Sequence, residues 1–170
     1  MFETAYMPLQ PDVVRLFEME TRVRCLSAPD LWGGKMCAAL DRQHPRDLFD
    51  VARLLDTSGI TEEIRTAFVI YLVGHGRPMA ELLRPNFKPL AGDFAREFAG
   101  MAREETSLER LESARVRLVE EISANLTDDD KRFLLSVKEG EPDWGLLLVP
   151  HAAELPAIRW KLANIERMKR

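Results

Sequence analysis

Cysteine is nearly absent from this 170-residue chain: only Cys25 and Cys37 occur. They form no CxxC pair and have no second pair to complete a zinc site. Two cysteines are a thin disulfide framework, so free, buried thiols in a reducing compartment are expected. Long apolar runs are missing as well. Nothing approaches the ~18 residues that a membrane helix needs. The opening residues, MFETAYMPLQPD, lack the basic-then-apolar order of a signal peptide. The expected location is the cytoplasm, without membrane contact. GxSxG, P-loop and GxGxxG motifs are absent, which removes support for hydrolase, Walker-type and Rossmann readings. His44, His75 and His151 are far apart and make no HxxxH or HExxH. Trp32, Trp144 and Trp160 are scattered, a pattern of packing rather than of a base-stacking platform. No charge dominates either. A net charge of -4 argues against a surface that binds nucleic acid everywhere and leaves local basic patches open.

What is present is helix. With 46% hydrophobic and 31% charged residues, the composition suits one soluble, rather helical domain. The expected fold is mainly α (α+β): a short β segment over residues 1–26, then a multi-helical domain over 27–170. Residues 17–26, FEMETRVRCL, alternate apolar and polar with period two, as a strand with one wet face does. Segment 2–10 is the one available partner, and Pro8 and Pro11 mark the connection. Ser27-Ala-Pro-Asp30 starts a helix that runs through LWGGKMCAALDRQ. Gly33 and Gly34 are poor helix residues, costing roughly 1 kcal/mol each against alanine. Either another backbone packs closely there, or the glycines open access to Lys35.

Pro45 starts the next helix, PRDLFDVARLLDTSG, and Thr61 caps a third that is expected to be the most buried. A short helix follows near 80–83, then helices at 93–102, after Ser107, from Thr127 to Gly140, and from 154 to the end, with GLLLVP at 145–150 as an apolar tie. Asp128–Asp130, at a helix start, reads as capping and dipole compensation rather than a metal site.

The conditionally useful groups concentrate between Lys35 and Leu55. Asp47 and Asp50 are three apart on a helix and share a face, as a carboxylate pair holding Mg²⁺ would. Lys35, Arg42 and Arg46 are candidate phosphate partners. The plain alternative is a capped helix junction whose first turn favours an acid at Asp47. His44, just before Pro45, reads more readily as a turn residue than as an acid or base.

The stretch GGKMCAALDRQHPRDLFDVARLL resembles the K…R…RDLxDL segment of the AbiEii/AbiGii nucleotidyltransferase toxins of type IV toxin–antitoxin and phage abortive-infection systems. The likeness continues through GHGRPMAELLRPN, EFAGM, LTDDDKRFLLSVKEGEPDW and VPHAAELPAIRWKLAN, nearly the whole chain. It implies a polymerase-β-like nucleotidyltransferase fold followed by a helical half. It also implies nucleotide transfer from a nucleoside triphosphate, in some members to tRNA, and an antitoxin partner. Carried over, Lys35 contacts the triphosphate. Asp47 and Asp50 belong to the acidic, catalytic part, with Arg46 beside them and Arg42 among the nucleotide-binding candidates. The family's Gly-Ser turn and D-x-D strand have no counterpart here. The chain therefore reads as a C-terminal portion, truncated or split. It would use Mg²⁺ and a nucleoside triphosphate only if the palm is supplied, and whether it is itself an enzyme stays open. A non-catalytic helical interaction domain that binds the antitoxin, RNA or another copy of itself is the other reading, with segment 2–26 as the expected dimerisation edge.

Overall fold

The computed structural model describes residues 2–147 and 149–169. Among them are nine α-helices and a two-stranded antiparallel sheet, the mainly helical architecture the patterning suggested. Strand β1 (Ala5–Pro8) pairs with β2 (Arg22–Cys25) in the register Ala5–Cys25, Tyr6–Arg24, Met7–Val23 and Pro8–Arg22. Between them lies helix α1 (Pro11–Phe17), where a simple connection was expected. Pro11 is its first residue, where a missing N–H costs nothing, and Asp12 favours the dipole. Phe17 therefore ends a helix instead of starting a strand, and Glu18 reverses the chain in the left-handed region at φ 49°. The expected strand 17–26 shrinks to four residues, and Arg22, Val23 and Arg24 are all exposed, so no wet-and-dry alternation exists.

This β1–α1–β2 unit stands largely in solvent. Helix α1 buries none of its residues, and Tyr6, Leu16, Phe17, Met19 and Leu26 are more than half exposed. A two-stranded ladder alone is marginal in water. The Phe2 N–H gives this one an anchor, donating to Asp30 Oδ2 at 3.0 Å.

The helical body is assembled from well-capped pieces. Ser27 starts α2 (Ala28–Arg42), accepting the Asp30 N–H at 3.1 Å. His44 starts α3 (Pro45–Thr57), its Nδ1 accepting the Arg46 N–H at 3.2 Å. Thr61 caps α4 (Glu62–Gly74). After α5 (Met79–Leu83) and α6 (Ala91–Glu97), Ser107 caps α7 (Leu108–Asn125). Thr127 and Asp130 form a reciprocal capping box on α8 (Asp128–Glu139), which is the role the aspartate run suggested. Asp130 is buried and also paired with Arg65 from α4. Single 3-10 turns at Trp144–Leu146 and Ala152–Glu154 precede α9 (Pro156–Met168). The expected tie at 145–150 contains Leu148, and the expected final helix includes Arg170; both residues lie outside those described. Helix α6 is shorter than expected, because the chain leaves it at Phe98 and turns through Gly100 at φ 78°.

Helix α4 is the spine. It buries Ile64, Ala67, Phe68, Val69, Ile70, Leu72 and Val73, so little of its circumference is wet. Helix α2 lies against it at Gly33, where an added Cβ would fall 2.8 Å from the Phe68 nitrogen. Close backbone packing is therefore what Gly33 provides. Met36, Leu48, Leu54, Leu111, Leu118, Phe133 and Ile158 complete one continuous core. Cys37 sits inside it and Cys25 near the surface, both as free thiols. Burial pushes the Cys37 thiol far above its ordinary range, assisted by the Asp41 charge.

Candidate functional site

Helices α2 and α3 are joined by a bend of two residues, Gln43 and His44. Gln43 takes the left-handed conformation at φ 54° and returns its N–H to Ala39 O at 3.1 Å. Pro45 then restarts the helix. This folds the last turns of α2 onto the first turns of α3. Lys35 and Arg42 are seven residues apart and share one stripe of α2. Asp47 and Asp50 share one stripe of α3. The stripes meet in two ion pairs, Lys35 Nζ–Asp50 Oδ2 at 2.5 Å and Arg42 Nη2–Asp47 Oδ1 at 2.8 Å. Four of the five expected site residues thus form one seam.

The fifth, Arg46, turns away from it. Its guanidinium donates to Glu97 O at 3.3 Å and reaches Met101 Sδ at 3.4 Å. Asp50 accordingly pairs with Lys35 across the helices instead of with Arg46 along one. His44 caps α3 with Nδ1 and meets Glu97 Oε2 through Nε2 at 2.9 Å, so it is a turn residue that also ties α6 down. The hydrogen bond from His44 holds the Glu97 carboxyl below its ordinary range.

The electrostatics of the seam are balanced: two cations face two carboxylates. Lys35 and Asp50 are each about one-third exposed, Asp47 is mostly covered, and the Arg42 side chain is 63% exposed. Such a seam can bind phosphate by exchanging a carboxylate for a phosphate oxygen on Lys35 or Arg42. It does not fit a magnesium ion by itself. One oxygen of each aspartate is already held by a cation, and no group of three metal-ligating side chains lies together among the described residues.

Two neighbouring networks had not been anticipated. Arg115, buried on the core stripe of α7, donates to Gln43 Oε1 at 3.2 Å and Lys88 O at 2.7 Å, and stacks 4.4 Å from the Phe87 ring centroid. Burial lowers its affinity for its proton. Gln43 Nε2 donates to Asn86 O at 2.9 Å, so the bend and the segment around 86–88 form one polar core. An arginine on the apolar stripe Leu111–Leu118 was the signal for it. The second network joins Asp41 to Arg77 at 2.8 Å, with His75 Nε2 3.6 Å from Asp41. Hydrogen bonds to Asp41 and then Glu81 strengthen the hold of Arg77 on its proton. Lys161 of α9 donates to His75 O and Arg77 O at 2.8 and 2.7 Å, and burial pushes its ammonium pKa down.

No curated protein and no solved structure matches the chain. One family does, over residues 2–164, described as the nucleotidyl transferase AbiEii toxin of type IV toxin–antitoxin systems. That match takes in the β1–α1–β2 unit, the α2–α3 seam and the helices behind it, and the chain belongs to the AbiEii nucleotidyl transferase toxin family.

Proposed function

We propose that this chain forms the phosphate-facing wall of a nucleotidyltransferase site and does not transfer nucleotides by itself. Lys35 and Arg42 are the triphosphate-binding groups. Asp50 and Asp47 position them and yield them to the more highly charged phosphates, with Arg46 bracing the start of α3. One observation carries the second half of the reading: neither strand bears a carboxylate, β1 being AYMP and β2 RVRC. Nucleotidyl transfer needs metal-held carboxylates that activate the attacking oxygen and neutralise the leaving pyrophosphate. In this reading those groups are supplied from outside these residues. Mg²⁺ and the nucleoside triphosphate bind at that joint, with an RNA such as tRNA as acceptor.

The test is incubation with labelled nucleoside triphosphates, Mg²⁺ and tRNA. The expected result is no transfer of label by the isolated chain. Transfer that disappears in Lys35→Ala or Asp47→Ala would overturn the claim of inactivity and make the seam part of a complete enzyme.

The exposed apolar residues of the β1–α1–β2 unit favour a second reading, an interaction module for an antitoxin or for another copy of the chain. Sedimentation of the same preparation as a monomer, with residues 2–26 ordered, would count against self-association.

A further inference from the structure

We infer that the chain carries a second, separate binding site, for a small amphipathic cation, in the cleft between the start of α2, the end of α4 and the start of α9. The cleft holds about 400 Å³, within the range of small-molecule sites. Its walls are mostly apolar, with Leu26, Ile70, Leu155 and Ile158 among them. Asp30 and Tyr71 supply polar groups on the same lining.

Asp30 is the reason to read this cleft as a site. Its residue is only 5% exposed. Oδ2 is saturated, accepting the Phe2 N–H at 3.0 Å and the Ser27 hydroxyl at 2.9 Å. Oδ1 is buried and has no hydrogen-bond partner. A buried carboxylate oxygen without a donor is costly, and native proteins rarely leave one. The capping role of Asp30 uses the other oxygen, so the cap does not explain the orphan. The charge also reaches Tyr71: burial first, and then Asp30, pushes its phenol pKa up. An apolar body carrying an ammonium or amidinium group matches this arrangement, with its donor on Oδ1 and its carbon skeleton against the aliphatic walls. Asp30 and Lys35 are five residues apart on α2, about 140° around the helix, so the cleft and the seam occupy different faces. The inference therefore does not rest on the nucleotide reading.

The experiment titrates benzamidinium into the full chain and follows the backbone amide signals of Tyr71, Gly74 and Ala157 by NMR. Benzyl alcohol and benzoate serve as neutral and anionic comparators. Saturable shifts are expected for benzamidinium, with binding at least about tenfold weaker for benzyl alcohol, the scale of one charge-assisted hydrogen bond. Benzoate is expected to give none. Asp30→Asn keeps the shape and removes the charge, and should weaken benzamidinium binding at least about tenfold on the same scale. Should that variant lose its fold, Ala157→Leu, on the exposed wall of the cleft, decides by blocking binding through bulk. Equal binding of benzamidinium and benzyl alcohol, absence of saturable shifts, or full binding by a folded Asp30→Asn or by Ala157→Leu each overturns the inference.

Discussion

Gly33→Ala and Gly34→Ala, two neighbouring substitutions of the same kind, should move stability in opposite directions. An added Cβ at Gly33 would lie 2.8 Å from the Phe68 nitrogen and 2.9 Å from the carbonyl carbon and Cβ of Ala67. Carbon atoms in good contact sit at ~3.5 Å or more, so α2 and α4 would have to part by roughly half an ångström. The obstacle is the backbone of the most buried helix and cannot rotate aside. Overpacking costs about 1–3 kcal/mol, and contacts this short against backbone belong to the upper part of that range, about 2–3 kcal/mol, while replacing a helical glycine by alanine returns about 1 kcal/mol. The net loss should be about 1–2 kcal/mol, or about 2–8 °C in Tm for a domain of this size. At Gly34 the nearest atom is the Tyr71 ring at 3.5 Å, an ordinary contact. There the propensity gain stands nearly alone, and Tm should rise by about 2–4 °C. Thermal and urea unfolding followed by far-UV circular dichroism reads both. A Gly33→Ala protein as stable as the wild type, or more stable than Gly34→Ala, would refute close helix approach as the reason for Gly33.

Gln43→Ala removes the acceptor of the Lys88 N–H at 3.0 Å and of Arg115. Leaving the part-buried Lys88 N–H without its acceptor, and Arg115 with Lys88 O alone, should cost about 1 kcal/mol; the Lys88 amide should then exchange hydrogen at least about tenfold faster, and unchanged protection would exclude the network as what holds this segment. Asp56 accepts hydrogen bonds from Arg117 at 2.7 Å and Arg110 at 3.0 Å, and that from Arg117 above all holds its carboxyl below the ordinary range. A depressed carboxyl contributes stability above its unfolded pKa of roughly 4 and loses it as pH falls through the folded value. Asp56→Asn should therefore lower the urea midpoint slightly at pH 7, the pair being exposed, and leave it unchanged near pH 2; an equal difference at both pH values would rule out the charge as the cause.

Much of the helical body was legible because its signals are local. Ser27, Pro45, Thr61, Ser107 and Thr127 mark helix starts by chemistry confined to one turn, and all five act as such or stand at the first position. The proline rule that located α3 applies equally to Pro11. The alternation of 17–26 overstated β2 because period two implies a strand only where one face is covered, and here neither is. The seam was half legible. Spacing alone put Asp47 beside Asp50 on one stripe. The pairing of Lys35 with Asp50 and the departure of Arg46 towards α6 depend on how α2, α3 and α6 pack, which no local pattern encodes. Asp30 shows the same limit: its capping position was readable, whereas the bond from Phe2 to Oδ2 and the burial of Oδ1 without a donor depend on tertiary packing.

The left-handed bend at Gln43 also decides which motions can expose Lys35. A glycine there would accept φ 54° without strain, yet the position is filled by a side chain bonded to both Asn86 and Lys88. The joint between α2 and α3 is thereby a riveted corner, and Gly33 fixes α2 against α4 at the other end. Swinging either helix out as a lid would break the Gln43 bonds or the Gly33 contact. On the proposed reading, a phosphate reaching Lys35 would meet a wall on which the lysine, aspartate and arginine side chains rearrange, on the picosecond-to-nanosecond timescale of surface rotamers, so that its capture would not wait on a slow hinge.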